Sequence, residues 1–366
     1  MLFIKLSAFY LFYFSAVGVY IIFLPKVLHD IGYSPTDIGI VLALAPLMRF
    51  LTPFLFLKHI TLTQNLFKII LLLSVFSSFL FYFTIEHFYF FMINNAILGV
   101  CLSILLPYIE LIAIKELKNQ YGKSRLFGSI GFALIGLILA KYLSQPNIAL
   151  HFYFISTLLT AIIAFSLLKY DEKEHPKSEN DEQFSLLKYW SFWVSLFLMQ
   201  VSFGGYYNFF TIYESEHSIS LETISYLWSM GILFEVLMFY YQAPLLKKNL
   251  LFIIKISILI TAFRWLMLFL FPDSLFVSFA TQSLHAFSFG LYHSAVILYL
   301  YQIYQNKKLA QQFMLGIAYG FGGFAGAIIA GYLYGKYLFL ASCVFSLLAF
   351  AFMLKKNKKV LTINNG

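Results

Sequence analysis

The chain has 366 residues, of which 61% are hydrophobic and only 11% charged. Soluble domains carry about 45–50% apolar and about 25% charged residues, so a water-soluble fold is excluded and an integral membrane protein is expected. The net charge of +9 does not imply a nucleic-acid partner, because the basic residues punctuate apolar runs and form no patch.

Twelve apolar runs of helical length begin near residues 3, 38, 66, 88, 125, 148, 191, 223, 250, 274, 311 and 337. The first, FIKLSAFYLFYFSAVGVYIIFL, is too long for a signal-peptide core and lacks a small-residue cleavage site, so it reads as a span. Span two carries Arg49. Span four holds Asn94, Asn95, Pro107 and Glu110, and the proline predicts a kink. Span five opens YGKSRLFGSIGFALIG, and span eleven reads LGIAYGFGGFAGAIIAGYLYG. Small residues repeated every three or four positions predict close helix packing at both. The GFGGFA string follows no strand, so it is not a dinucleotide loop. Cys101 and Cys343 lie inside apolar runs and form neither a CxxC nor a metal-ligand set.

Charge at the breaks orients the chain. Lys58, Lys68, Lys115, Lys118, Lys123, Arg125, Lys247, Lys248, Lys307, Lys308, Lys355, Lys356, Lys358 and Lys359 fall on one side, against Lys26, Lys141 and Lys336 on the other. The basic side faces the cytoplasm, so both termini are expected there. The polar stretch KYDEKEHPKSENDEQ (Lys169–Gln183) between spans six and seven reads as a solvated linker. It divides the chain into residues 1–168, a linker 169–189, and residues 190–366, with six spans in each half and a short basic tail. The halves echo one another. Gly18-Val-Tyr20 matches Gly205-Tyr-Tyr207, and Arg49 follows Asp37 as Glu235 follows Glu222. The expected fold is all-α: twelve transmembrane helices in two six-helix halves, with a site between them near mid-membrane.

Spans eight, nine and ten each carry ionisable residues in apolar surroundings: Glu235, then Arg264, then His285 and His293. At 1.5 Å rise per residue, the first of these in each span falls roughly 16–21 Å along it, near the middle of a ~30 Å hydrocarbon layer. A charge there faces a cavity or a partner by default. One carboxylate, one permanent cation and one imidazole at one depth point to proton coupling. Glu235 is then either a proton carrier or half of a structural pair with Arg264, and His285 either a relay or a packing histidine. Arg49 either binds a substrate carboxylate or pairs with Glu110. It cannot itself carry the proton, because a guanidinium does not deprotonate. Arg125 reads as structural. Tyr206, Tyr207, Asn208 and Trp228, with His293, complete the set that could line a solute path.

At LWSMGILFE, FRW, LHAFSFGLYH and YGKSRLFGSIGF, and at GYSPTDIGIVLALAPLMRFL and PYIELIAI, the chain resembles the phenylpropionate permease group of the major facilitator superfamily. That group is related to the lactose permease type of proton symporter, and the resemblance covers nearly the whole sequence. It implies a proton-coupled symporter of a small organic solute, such as an aromatic acid, a sugar or a nucleoside, in a bacterial inner membrane. Glu235, Arg264 and His285 then look like the residues that handle protons and substrate in the lactose type. Where that type has a further carboxylate one turn beyond the histidine, this chain has Ser288. The superfamily's Gly-x-x-x-Asp-Arg loop between spans two and three is replaced by KHITLTQ. An efflux antiporter uses the same fold and stays an alternative, as does, more remotely, an intramembrane transferase. No metal or organic cofactor is expected beyond the coupling proton, and a monomer in the lipid bilayer is anticipated.

Overall fold

In a computed structural model, residues 1–58, 63–171 and 185–355 are described. The KHITLTQ replacement, most of the expected linker and the basic tail therefore lie largely or wholly outside the described residues. Each of the twelve apolar runs coincides with helix. Spans one to six are Leu2–Asp30, Pro35–Lys58, Gln64–Thr84, Phe88–Leu117, Tyr121–Tyr142 and Pro146–Leu167. Span seven is two rods, Trp190–Ser202 and Gly204–Glu216. Spans eight and nine are Leu221–Tyr241 and Leu250–Leu270. Span ten joins Leu275–Ser283 to Tyr292–Ile303 through a π-helical turn, Ala286–Leu291. Span eleven comprises Lys307–Met314, a π-helical stretch Leu315–Gly322 and Gly323–Tyr332, and span twelve is Leu338–Leu354. Among the described residues, eight helical stretches are long and apolar enough to cross a membrane by themselves. One of these, Phe88–Tyr142, contains both spans four and five.

Local chemistry sets several of the helix starts. Side-chain oxygens of Thr63, Ser220, Asn249, Ser274 and Asn306 each accept a hydrogen bond from the backbone N–H three residues on, satisfying donors that the first turn leaves free. Span four runs through Pro107 as one helix.

The bundle is apolar on its outside and partly polar within, as lipid demands. Leu72, Phe83, Phe90 and Leu111 are exposed, while Ser74, Ser77, Ser195, Ser257 and Thr261 are buried. Two of these hydroxyls bond across helices: Ser77 to the Asn94 carbonyl at 3.1 Å and Ser195 to the Ala349 carbonyl at 2.8 Å. Such bonds hold helices where lipid supplies no hydrophobic drive for association.

Helix neighbours repeat between the two sets of six. Span one packs on five and six, span two on four, and span three on four and six. Span seven packs on eleven and twelve, span eight on ten, and span nine on ten and twelve. Between the sets, span two meets eleven, five meets eight, and one meets seven. Glycine allows the closest of these approaches. A Cβ on Gly39 would stand 2.6 Å from the Ala327 carbonyl oxygen and 3.0 Å from the Gly331 Cα. At the face opposite Met1 the seam is polar. His29 Nε2 lies 3.7 Å from Glu216 Oε1, and the Tyr334 hydroxyl donates to Glu216 Oε2 at 2.7 Å. Lys26 pairs with Asp30 beside them.

Candidate functional site

Arg264 is fully buried on span nine. It lies with its guanidinium carbon 4.4 Å from the Tyr206 ring centre and 4.6 Å from that of Trp265. Its Nη1 donates to His285 Nδ1 at 2.9 Å and to Ser288 Oγ at 3.3 Å, while Nη2 donates to Gln282 Oε1 at 3.0 Å. The Tyr206 hydroxyl donates to the same Gln282 oxygen at 2.9 Å. A buried cation costs several kcal/mol to desolvate. Here the cost is offset by three acceptors and two aromatic faces, and among the described residues no carboxylate is in direct contact.

The carboxylate enters through the histidine. A guanidinium has no acceptor, so His285 Nδ1 must accept, and the ring proton of the neutral form sits on Nε2. That nitrogen lies 3.4 Å from Glu235 Oε2. Glu235, His285 and Arg264 therefore form one chain across spans eight, ten and nine, with the imidazole as the bridge. Its ends differ in environment, since the Glu235 side chain keeps 20% of its surface accessible and Arg264 none. The π-helical turn begins beside His285, and such a turn widens a helix locally, often at functional sites. It also brings rings into register. His285 stacks on Phe289 at 5.3 Å between centres, and Phe289 on His293 at 5.9 Å. His293 Nδ1 meets the Tyr319 hydroxyl of span eleven at 2.7 Å.

The other sequence-predicted residues are placed variously. Tyr206 and Trp228 are buried with ring centres 4.6 Å apart, and the Trp228 indole donates to Thr211 Oγ1 at 3.1 Å. Tyr207 stacks on Phe203 beside the break in span seven. The Asn208 amide turns back to donate to the Gly204 carbonyl at 2.8 Å. Arg49 is exposed, within electrostatic reach of Tyr13 and Tyr20, and among the described residues it forms no ion pair. Its pairing with Glu110, one of the two readings above, is not made, because Arg125 takes that partner. Arg125 Nε lies 3.2 Å from Glu110 Oε1, and Tyr121 donates to the same oxygen at 3.3 Å. Phe14 covers the guanidinium at 4.2 Å.

Sequence reasoning did not single out Gln282, Tyr319 or Glu214. Gln282 stands three residues before His285, so the helical repeat does place it on that face. Glu214 is masked by Glu216 and His217, which make the end of span seven look like a loop.

A model of the MFS_1 like family matches residues 3–346. The chain belongs to that family. Its members are transporters of the major facilitator superfamily, so this is a multi-pass secondary transporter of a small solute and not an enzyme. The chain is 25% identical to a protein of Escherichia coli (strain K12) described as a probable 3-phenylpropionic acid transporter, over 89% of each chain. It is also 25% identical to the uncharacterized transporter YwbF of Bacillus subtilis (strain 168), over 97% of this chain and 95% of the relative. Among solved structures, the nucleoside transporter NupG superposes with a TM-score of 0.76 at 17% identity, covering 97% of this chain and 99% of that one. An autoinhibited POT family peptide transporter gives 0.75 at 11% identity, over 100% and 98%. At such identities the two structures establish the family fold alone.

Proposed function

We propose that this member of the family is a proton-coupled symporter of a small organic solute. The observation that carries the reading is the His285 bridge, which links an accessible carboxylate to a buried, permanent cation. With Glu235 charged, the imidazole is held between them. When Glu235 takes a proton, its claim on the Nε2 proton of His285 weakens, and the three helices lose part of the electrostatic tie between them. Proton occupancy thus acts on the packing of spans eight, nine and ten, and two six-helix halves rocking about the site would carry it across. Solute could meet the same groups, since Arg264 Nε and Gln282 Nε2 have no partner among the described residues. An acid's carboxylate suits a guanidinium, and the 3-phenylpropionic acid named for one relative suits the aromatic surround. Sugars and nucleosides remain in the solute class.

The test is uptake into proteoliposomes under an imposed pH gradient, with 3-phenylpropionate, uridine and lactose as probes. Coupling requires that at least one accumulates and that a protonophore abolishes the accumulation. Solute entry unaffected by the gradient would reject it.

The basic asymmetry and the bacterial relatives support a cytoplasmic-membrane location with both termini inside. Cysteines introduced at Ser178 and His217 provide the check in intact cells. An impermeant reagent added outside is expected to label position 217 and to spare position 178. The reverse pattern would invert the topology.

A further inference from the structure

Glu214 takes no part in the chain of Glu235, His285 and Arg264. It sits in the last turn of Gly204–Glu216, near the face opposite Met1, and has no exposed surface. Ser278 of span ten, equally buried, places its hydroxyl oxygen 3.1 Å from Oε1 and 3.1 Å from Oε2. Among the described residues, no Lys, Arg or His lies within ion-pair distance of Glu214. The adjacent titratable groups are engaged elsewhere. The Tyr213 hydroxyl donates to the Leu268 carbonyl, and His217 Nδ1 meets the Tyr213 carbonyl oxygen. Glu216 is held by Tyr334.

Three considerations then act together. Burying an unpaired carboxylate costs several kcal/mol. The C-terminal end of a helix is the negative end of its dipole and disfavours an anion. A serine hydroxyl has one proton, so against an anion it can donate fully to one oxygen only. Two equal contacts are satisfied when the carboxyl carries a proton, because serine then donates to one oxygen and accepts from the other.

We propose that Glu214 and Ser278 form a second proton-binding site, separate from the mid-membrane cluster. Both residues are fully buried, so release of the proton requires the surrounding helices to part or water to enter between them. Ser278 and Gln282 lie one turn apart on span ten, about 6 Å along its axis, and Gln282 holds Arg264. The site thus stands at the head of a polar track that leads from the opposite face to the cluster. This goes beyond the coupling reading and does not depend on which residue couples.

The test is infrared difference spectroscopy of the full chain in lipid vesicles, with the proton as the only ligand. At neutral pH a carbonyl stretch from a protonated carboxyl group is expected, kept in Glu235→Gln and lost in Glu214→Gln. Ser278→Ala should displace that band, and it carries the test should Glu214→Gln fail to fold. Loss of carboxylate bands alone in Glu214→Gln, or an unmoved band in Ser278→Ala, overturns the proposal. No solute or gradient enters the measurement, so its failure leaves coupling at Glu235 untouched, and the converse holds.

Discussion

Glu235→Gln is expected to abolish uphill accumulation while leaving solute exchange intact. Glutamine keeps the size of the side chain and mimics the protonated acid, which cannot give up its proton. If one proton moves with each neutral solute, a gradient of one pH unit supplies about 1.4 kcal/mol and sustains roughly tenfold accumulation. In the variant that ratio should fall to parity, with counterflow near the wild-type rate. Glutamine still offers an oxygen to His285 Nε2, so the 3.4 Å approach need not be lost and the fold should hold. Arg264→Ala should behave differently. It removes donors to His285, Ser288 and Gln282 at once, and a hydrogen bond to a charged group is worth ~1.5–3 kcal/mol. If solute meets Arg264, affinity should drop by about 10- to 100-fold, impairing exchange and accumulation together. A Glu235→Gln protein that still concentrates solute at the wild-type rate would remove this residue from the coupling step.

Glu235, His285 and Arg264 were each legible in the sequence because each is expensive where it stands, but their order was not: the sequence offered a direct pair of Glu235 with Arg264, and the imidazole stands between them. An apolar run is a quiet background, and a charge within it can be located to a residue and given a depth. The helices were legible for the same reason. What the sequence concealed were partners of ordinary polarity and partners chosen by rotamer. Gln282 and Ser288 carry no charge, and serine is common throughout these spans. The choice between Arg49 and Arg125 as the partner of Glu110 turns on which span faces span four at that level. Periodicity gives a face to a residue but not the neighbour that covers it. The broken rods had weaker signals still. Span seven parts at Phe203, ahead of two glycines, and the π-helical turns of spans ten and eleven widen the helix without leaving the apolar run. Glu214 was hidden because burial is decided by Ser278, 64 residues away.

One substitution made at two glycines should give two different outcomes. In Gly204→Val, the new Cβ would stand 2.7 Å from the Gly326 Cα, and nearer still to that residue's carbonyl. Spans seven and eleven both belong to the second set of six, and span seven is also held by twelve. They cannot separate without loss of the core, so the overpacking cost of ~1–3 kcal/mol or more should appear as a lowered unfolding temperature. In Gly39→Val the overlap is milder but still severe, 2.6 Å to the Ala327 carbonyl oxygen against 2.1 Å to the Gly326 carbonyl oxygen at Gly204. Here, however, the crowded helices belong to different sets. Spans two and eleven can relieve the contact by moving apart, which would open the face where His29, Glu216 and Tyr334 now meet. The same 1–3 kcal/mol then appears as a shift of about 5- to 150-fold between closed and open forms, with little change in unfolding temperature. Cys101 and Cys343 are buried, so spin labels can be placed on cysteines introduced at Ser34 and Lys336, which flank that seam and are exposed. A longer-distance population is expected in Gly39→Val and absent from Gly204→Val. If Gly39→Val instead lowers the unfolding temperature as much as Gly204→Val and leaves the label distances unchanged, the seam between spans two and eleven is fixed packing and the two sets do not part there.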